Sequence, residues 1–186
     1  MRTHLLTLAA ACLLAAPGAS AHGPATSFAT EDSTAGWMSI GEPLARKLVA
    51  DGNKIERDTV QDAIKDEGLA RNYRQFFRAR KIDLATTGRA AVFVRPASEP
   101  YYMPFYGAHI FRFWVVDAAG HVLLSSAADE VALLDSVHGG MRDLRVSQCR
   151  GGVCYDTTEL FEHGQYRNGS CATRSIVTGA TSAGCS

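Results

Sequence analysis

The chain has 186 residues, 19 basic and 19 acidic side chains, a formal net charge of zero and 46% hydrophobic residues. Near-neutrality argues against nucleic acid or an anionic membrane as the main partner. After the first two dozen residues no apolar run reaches the roughly 18 residues that a membrane-spanning helix needs.

Arg2 and His4 precede an apolar run from Leu5 to Ala16, which ends in Ala19-Ser20-Ala21. A basic start, a short apolar stretch and small residues at the exit predict a secretion signal over residues 1–21, cut after Ala21. Its removal would leave roughly 165 residues, enough for one domain that buries about two thirds of its unfolded surface. The expected location is periplasmic or secreted. Cys12 leaves with the signal, and Cys149, Cys154, Cys171 and Cys185 remain. An even set in an oxidising compartment predicts two disulfides. Three pairings are possible, the local one being the simplest.

Residues 22–38, rich in Gly, Ser, Thr and Pro, read as a flexible lead-in. Three helices are then predicted. Ser39 with Glu42, and Asn53 with Glu56, are capping-box patterns that open the first two. Leu44, Leu48 and Val49 form one apolar face, and Ile55, Val60, Ala63 and Ile64 another. Leu69, Tyr73, Phe76 and Phe77 stand at i, i+4, i+7 and i+8, which predicts a third helix to about Arg80.

From Ile82 the period changes. Ala90–Arg95, Ala108–Asp117, His121–Ser126, Glu130–Leu134, Asp143–Cys149 and Cys154–Phe161 read as short strands separated by Ala118-Ala119-Gly120, His138-Gly139-Gly140 and Gly151-Gly152 turns. A last hairpin runs through Gly164 and Tyr166. The fold class predicted is α+β, with N-terminal helices (about 42–80) packed on a C-terminal antiparallel sheet (about 82–168). Residues 39–172 form the single domain, and residues 173–186 a polar tail tethered by a disulfide.

No catalytic residue is assigned, because no coherent constellation stands out. His138-Gly139-Gly140 lacks the G-x-S-x-G elbow that an esterase oxyanion hole would accompany. No metal or other cofactor is predicted: the C-x-x-C spacing of a thiolate zinc site is missing. The acidic run Asp58, Asp62, Asp66 and Glu67, followed by Arg71, Arg74, Arg78, Arg80 and Lys81, reads as solvated helix faces. Tyr101-Tyr102-Met103-Pro104-Phe105-Tyr106 is either an exposed interface loop or core, since aromatic residues dominate interface anchors. Candidate partner-binding residues are Tyr101, Tyr102, Phe105, Tyr106, His138, Arg142 and Arg150.

Two resemblances bear on function. Cys149-Arg150-Gly151-Gly152-Val153-Cys154 has the C-x4-C spacing of the loop that periplasmic inhibitors of vertebrate lysozyme present to the lysozyme cleft. That family's loop carries a histidine, which this one lacks. Ile82-Asp83-Leu84-Ala85-Thr86-Thr87-Gly88-Arg89 resembles a degenerate form of the calcium loop of FG-GAP/VCBS-type repeats. Gly140-Met141-Arg142-Asp143-Leu144 and Phe161-Glu162-His163-Gly164-Gln165-Tyr166 resemble later segments of exported bacterial proteins of that kind. With Ala85 and Thr87 where ligands would stand, calcium is not expected at this loop. The resemblances imply a periplasmic protein-binding protein, an inhibitor or immunity protein against a cell-wall-degrading enzyme. The alternatives are a small periplasmic hydrolase or wall-modifying enzyme, with His109 and His138 as acid–base candidates, and a non-catalytic envelope component.

Overall fold

A computed structural model describes residues 26–30, 36–65, 70–85, 90–97, 103–107 and 110–185. The signal read over residues 1–21 lies outside the described residues, as do Asp66, Glu67, Tyr101, Tyr102 and His109. In chain order the elements are β1 (Thr26–Thr30), α1 (Glu42–Ala50), α2 (Lys54–Lys65), β2 (Phe77–Asp83), β3 (Ala90–Pro96), β4 (Tyr106–Gly107), β5 (Ile110–Asp117), β6 (Val122–Ala128), β7 (Glu130–His138), β8 (Met141–Arg150), β9 (Val153–Glu162), β10 (Gln165–Ser175) and β11 (Thr181–Ala183).

The strands make two antiparallel sheets. The large one has the order β1-β7-β8-β9-β10-β11. In the small one β5 is central: β3 pairs its end, β4 its first residues, β6 most of its length, and β2 extends β3. Helices α1 and α2 form a third layer on the outer face of the small sheet.

The mixed α and β composition is present, but the fold is mostly β. The predicted third helix is overturned. A single 3-10 turn, Tyr73–Phe76, leads directly into strand β2. All seven β2 residues pair with β3, from Phe77 opposite Pro96 to Asp83 opposite Ala90, so the ladder satisfies a backbone that a helix would otherwise have closed on itself. The helices do not open the fold either. Strand β1, inside the segment read as a flexible lead-in, pairs with β7, and Trp37 packs edge-on to Phe93.

The first two helices begin by different means. Asn53 and Glu56 form the reciprocal box: Glu56 N–H donates to Asn53 Oδ1 at 3.0 Å and Asn53 N–H to Glu56 Oε2 at 2.7 Å. Gly41, not Ser39, precedes α1 and makes no side-chain cap. Glu42 instead accepts Tyr73 and Arg74 N–H at 3.3 and 3.0 Å, tying α1 to the 3-10 turn.

Two cores result. Between the sheets lie Phe93, Phe111, Phe113, Val115, Val131, Leu144 and Val146, with Phe93 stacked on Phe113 at 5.0 Å. Between the small sheet and the helices lie Leu48, Val60, Phe76, Phe77, Val94, Trp114 and Val116. Residues of β3 and β5 thus enter the two cores in turn, which explains the apolar runs Ala90–Val94 and Phe113–Val116.

Candidate functional site

Of the candidate residues, Arg142 and Arg150 stand at opposite ends of strand β8, and His138 ends the neighbouring β7. A strand rises about 3.4 Å per residue, so Arg142 and Arg150 stand about 27 Å apart along it. The structure therefore separates His138 and Arg142 from the disulfide loop, and no single compact patch joins them. Strand β6 ends at Ala128, opposite Phe111, and passes at once into β7, whose Glu130 faces Ser147. The start of β5, with Phe105 and Tyr106 beside it, is therefore at the same end of the sandwich as Arg150.

Phe105 is 3% exposed and packs against Phe77 at 5.2 Å and Trp114 at 5.6 Å. Of the two readings open for this aromatic stretch, Phe105 takes the core one, and its ring presents no surface to a partner. Tyr106 is half-buried beside the inter-sheet core.

The turn end is held by a buried carboxylate. Asp143 is 1% exposed, accepts the Ser136 hydroxyl at 2.5 Å and faces His138 Nδ1 at 2.8 Å. The imidazole is partly exposed. Ser136 bonds the carboxylate and not the imidazole, so the three do not form a nucleophile–base–orienter chain. Arg142 is spent on structure: Nε donates to the Leu134 carbonyl at 2.8 Å and its guanidinium pairs with Asp135 at 2.9 Å. Gly139 is required here. It has φ of +55°, and a Cβ would sit 2.7 Å from the Phe161 carbonyl oxygen.

The three segments of the second resemblance meet at this end. Arg142 N–H donates to the Leu84 carbonyl at 2.6 Å, and Ala85 bridges Met141. Tyr166 lies against Phe161 and donates its hydroxyl to the Arg142 carbonyl at 2.8 Å. Burial, with the Asp143 charge, raises the Tyr166 hydroxyl above its ordinary value of 10.0, so it stays a donor. Residues 86–89 of the calcium-like loop lie outside the described residues. Among the described residues no three His, Cys, Asp or Glu side chains are grouped to hold a metal ion.

At the opposite end, two disulfides brace two neighbouring hairpins. Cys149–Cys154 closes the β8–β9 turn, with Cα atoms 4.0 Å apart, and Cys171–Cys185 closes β10–β11, at 5.6 Å. Gly151 and Gly152 carry φ of +59° and +82°, the left-handed pair a tight two-residue turn demands. Ile176 N–H donates to the Gly152 carbonyl at 2.9 Å and joins the two turns. On their outer side Ile176 and Val177 are 54% and 88% exposed. Arg150 is exposed and lies over the Tyr155 ring at 5.2 Å. Residues 149–154 and 176–184 contain no acid.

This tip stands on an ion-pair row across the outer face of the large sheet. Arg174 binds Asp156 at 2.7 and 3.2 Å, and Glu130 reaches Arg145 at 3.3 Å and Arg174 at 3.9 Å. Burial pushes the Asp156 carboxyl up, but the hydrogen bonds from Arg174 and the nearby charges of Arg174 and Arg145 outweigh it and hold it below its ordinary value.

Sequence reasoning named Arg150 and the cysteines but missed Ile176 and Val177, which it placed in a polar tail. The one signal for them was an apolar pair beside Thr178-Gly179 inside the loop closed by Cys171 and Cys185. Asp129 accepts the Cys149 N–H at 2.5 Å and Glu130 pairs with arginines. Glu159 is buried while Glu162 is exposed at the hairpin. Among the described residues no helix is long and apolar enough to cross a membrane. No known protein family, curated protein or solved structure matches the chain.

Proposed function

We propose that this is an exported protein-binding protein, of the inhibitor or immunity kind, whose recognition element is the pair of turns Arg150–Val153 and Ile176–Thr178. One observation carries the reading: two disulfide-closed turns, hydrogen-bonded to each other, hold an exposed isoleucine and valine beside an exposed arginine. A covalently braced loop loses little conformational freedom on binding, so apolar and cationic contacts there translate more fully into affinity. A solvent-facing apolar pair on a rigid tip has no role within the fold. The chemistry fits an acidic cleft with one apolar wall. The C-x4-C resemblance to lysozyme inhibitors favours the cleft of a cell-wall-degrading enzyme in the periplasm or outside the cell.

The test is an inhibition assay. The oxidised protein is titrated into a panel of muramidases and peptidoglycan amidases, beside the variant Arg150→Glu/Val177→Asp. Stoichiometric loss of one enzyme's activity, absent with the variant, is the expected result. No inhibition and no complex with any of them would remove this reading.

The His138–Asp143 contact favours a second reading, a hydrolase in which His138 serves as base to a water molecule. Release of soluble fragments from peptidoglycan by this chain alone, lost in His138→Ala, would establish it in place of the first.

A further inference from the structure

Glu159 has no place in the recognition tip. It lies on β9 opposite Leu144, so its side chain enters the space between the sheets, and it is 4% exposed. No basic side chain among the described residues pairs with it. Asn168, directly opposite on β10, is the one polar partner described: with its NH2 turned toward the carboxylate, it donates at 2.8 and 3.1 Å. A carboxylate has about four acceptor sites, and a single NH2 group leaves about half of them unused. A buried charge in that condition is costly unless something else meets it.

The carboxylate lines a cleft of about 390 Å³ between β6 and the β9–β10 hairpin. Val122, Leu123 and Leu124 supply one wall, and Gln165, Tyr166 and Asn168 the other. Strand β11 pairs only with residues 172–174 of β10, so it does not cover β10 beside this cleft. We propose that the cleft is a binding site for an alkylammonium group, its charged head on Glu159 and its short aliphatic stem against Leu123 and Leu124. The volume is at the small end of ligand pockets, and its combination of apolar wall and few convergent polar groups is what such sites use. Burial raises the Glu159 carboxyl above its ordinary value, which an arriving cation would reverse. The same head group occurs on a free amine and on a lysine side chain of a bound chain.

The test follows backbone amide signals of the oxidised protein during titration with n-pentylammonium, with n-pentanol as the neutral analogue. Saturable shifts at Glu159, Gln165 and Asn168 are expected for the ammonium, with at least tenfold weaker binding for the alcohol. Glu159→Gln should weaken ammonium binding tenfold or more, with a melting temperature no lower than that of the native chain. Gln165→Trp, a change at an exposed rim position, should weaken it with the carboxylate intact. Equal binding of alcohol and ammonium, undiminished binding by both variants, or no saturable shift would overturn the proposal. Acetyl-lysine methylamide separates the sources. Binding as tight as pentylammonium points to a lysine side chain, and tenfold weaker binding points to a free amine.

Discussion

Ile176 N–H and the Gly152 carbonyl meet at 2.9 Å, and through this one bond the β10–β11 turn is fastened to the disulfide loop before it. The two turns therefore hold one arrangement, and the groups they expose act together.

Arg150→Glu and Val177→Asp should each abolish partner binding while altering stability by no more than about 0.5 kcal/mol, as for surface positions in general. Isothermal titration against the partner and thermal unfolding measure the two effects separately.

Replacing Cys149 and Cys154 by Ser opens a short loop and should cost about 2 kcal/mol, and replacing Cys171 and Cys185 about 3 kcal/mol, on the chain-entropy account. Both should weaken binding well beyond their effect on the fold, because each frees one of the fastened turns. Denaturant melts beside affinity measurements show this, and equal affinity in the opened forms would count against a rigid tip.

Phe105→Ala should act in the opposite sense. Its ring is core, between Phe77 and Trp114, so the change should destabilise by about 3–5 kcal/mol. The molecules that remain folded should bind the partner normally.

The pH dependence separates two carboxylates of β9. Glu159 has a raised value in the folded state, so the folded protein holds its proton longer than the unfolded chain. Its contribution to stability falls as pH rises from the ordinary 4.5 through the folded value. Asp156 has a lowered value; its contribution is present above the ordinary 3.8 and is lost as pH falls through the folded value. Glu159→Gln should therefore gain stability relative to the native chain as pH rises above 4.5, and Asp156→Asn should lose the stability that the native chain shows above 3.8. Urea midpoints measured across those ranges read both slopes.

The sequence showed β3 and β5 to β9 because turns separate apolar runs at short intervals. It did not show β1, whose Thr-Ser-Phe-Ala-Thr lies in a stretch rich in Gly and Pro, and whose strand character depends on the distant edge of β7. Tyr73, Phe76 and Phe77 fit a helical period because a 3-10 turn followed by a strand also brings their rings toward one layer. The cysteines and Arg150 were legible from spacing. Ile176 and Val177 were not, since an apolar pair in a polar segment signals nothing until the neighbouring hairpin gives it a platform. Glu159 was visible only as one of several acids, because its isolation is a property of the facing strands.

The middle sheet carries a liability of its own. A slip of one residue between β5 and β6 would exchange Phe113 with Trp114 and Val115 with Val116, apolar for apolar, so exclusion from water does not distinguish the two alignments. The count is kept instead at the β5–β6 turn, where Asp117 Oδ1 accepts the N–H groups of Ala119 and His121 at 2.9 and 2.8 Å, and at the bulge between Val115 and Val116. The most deeply buried layer of the molecule thus takes its alignment from a half-exposed carboxylate at its margin. Asp117→Ala is the substitution by which a misaligned but still compact chain would arise.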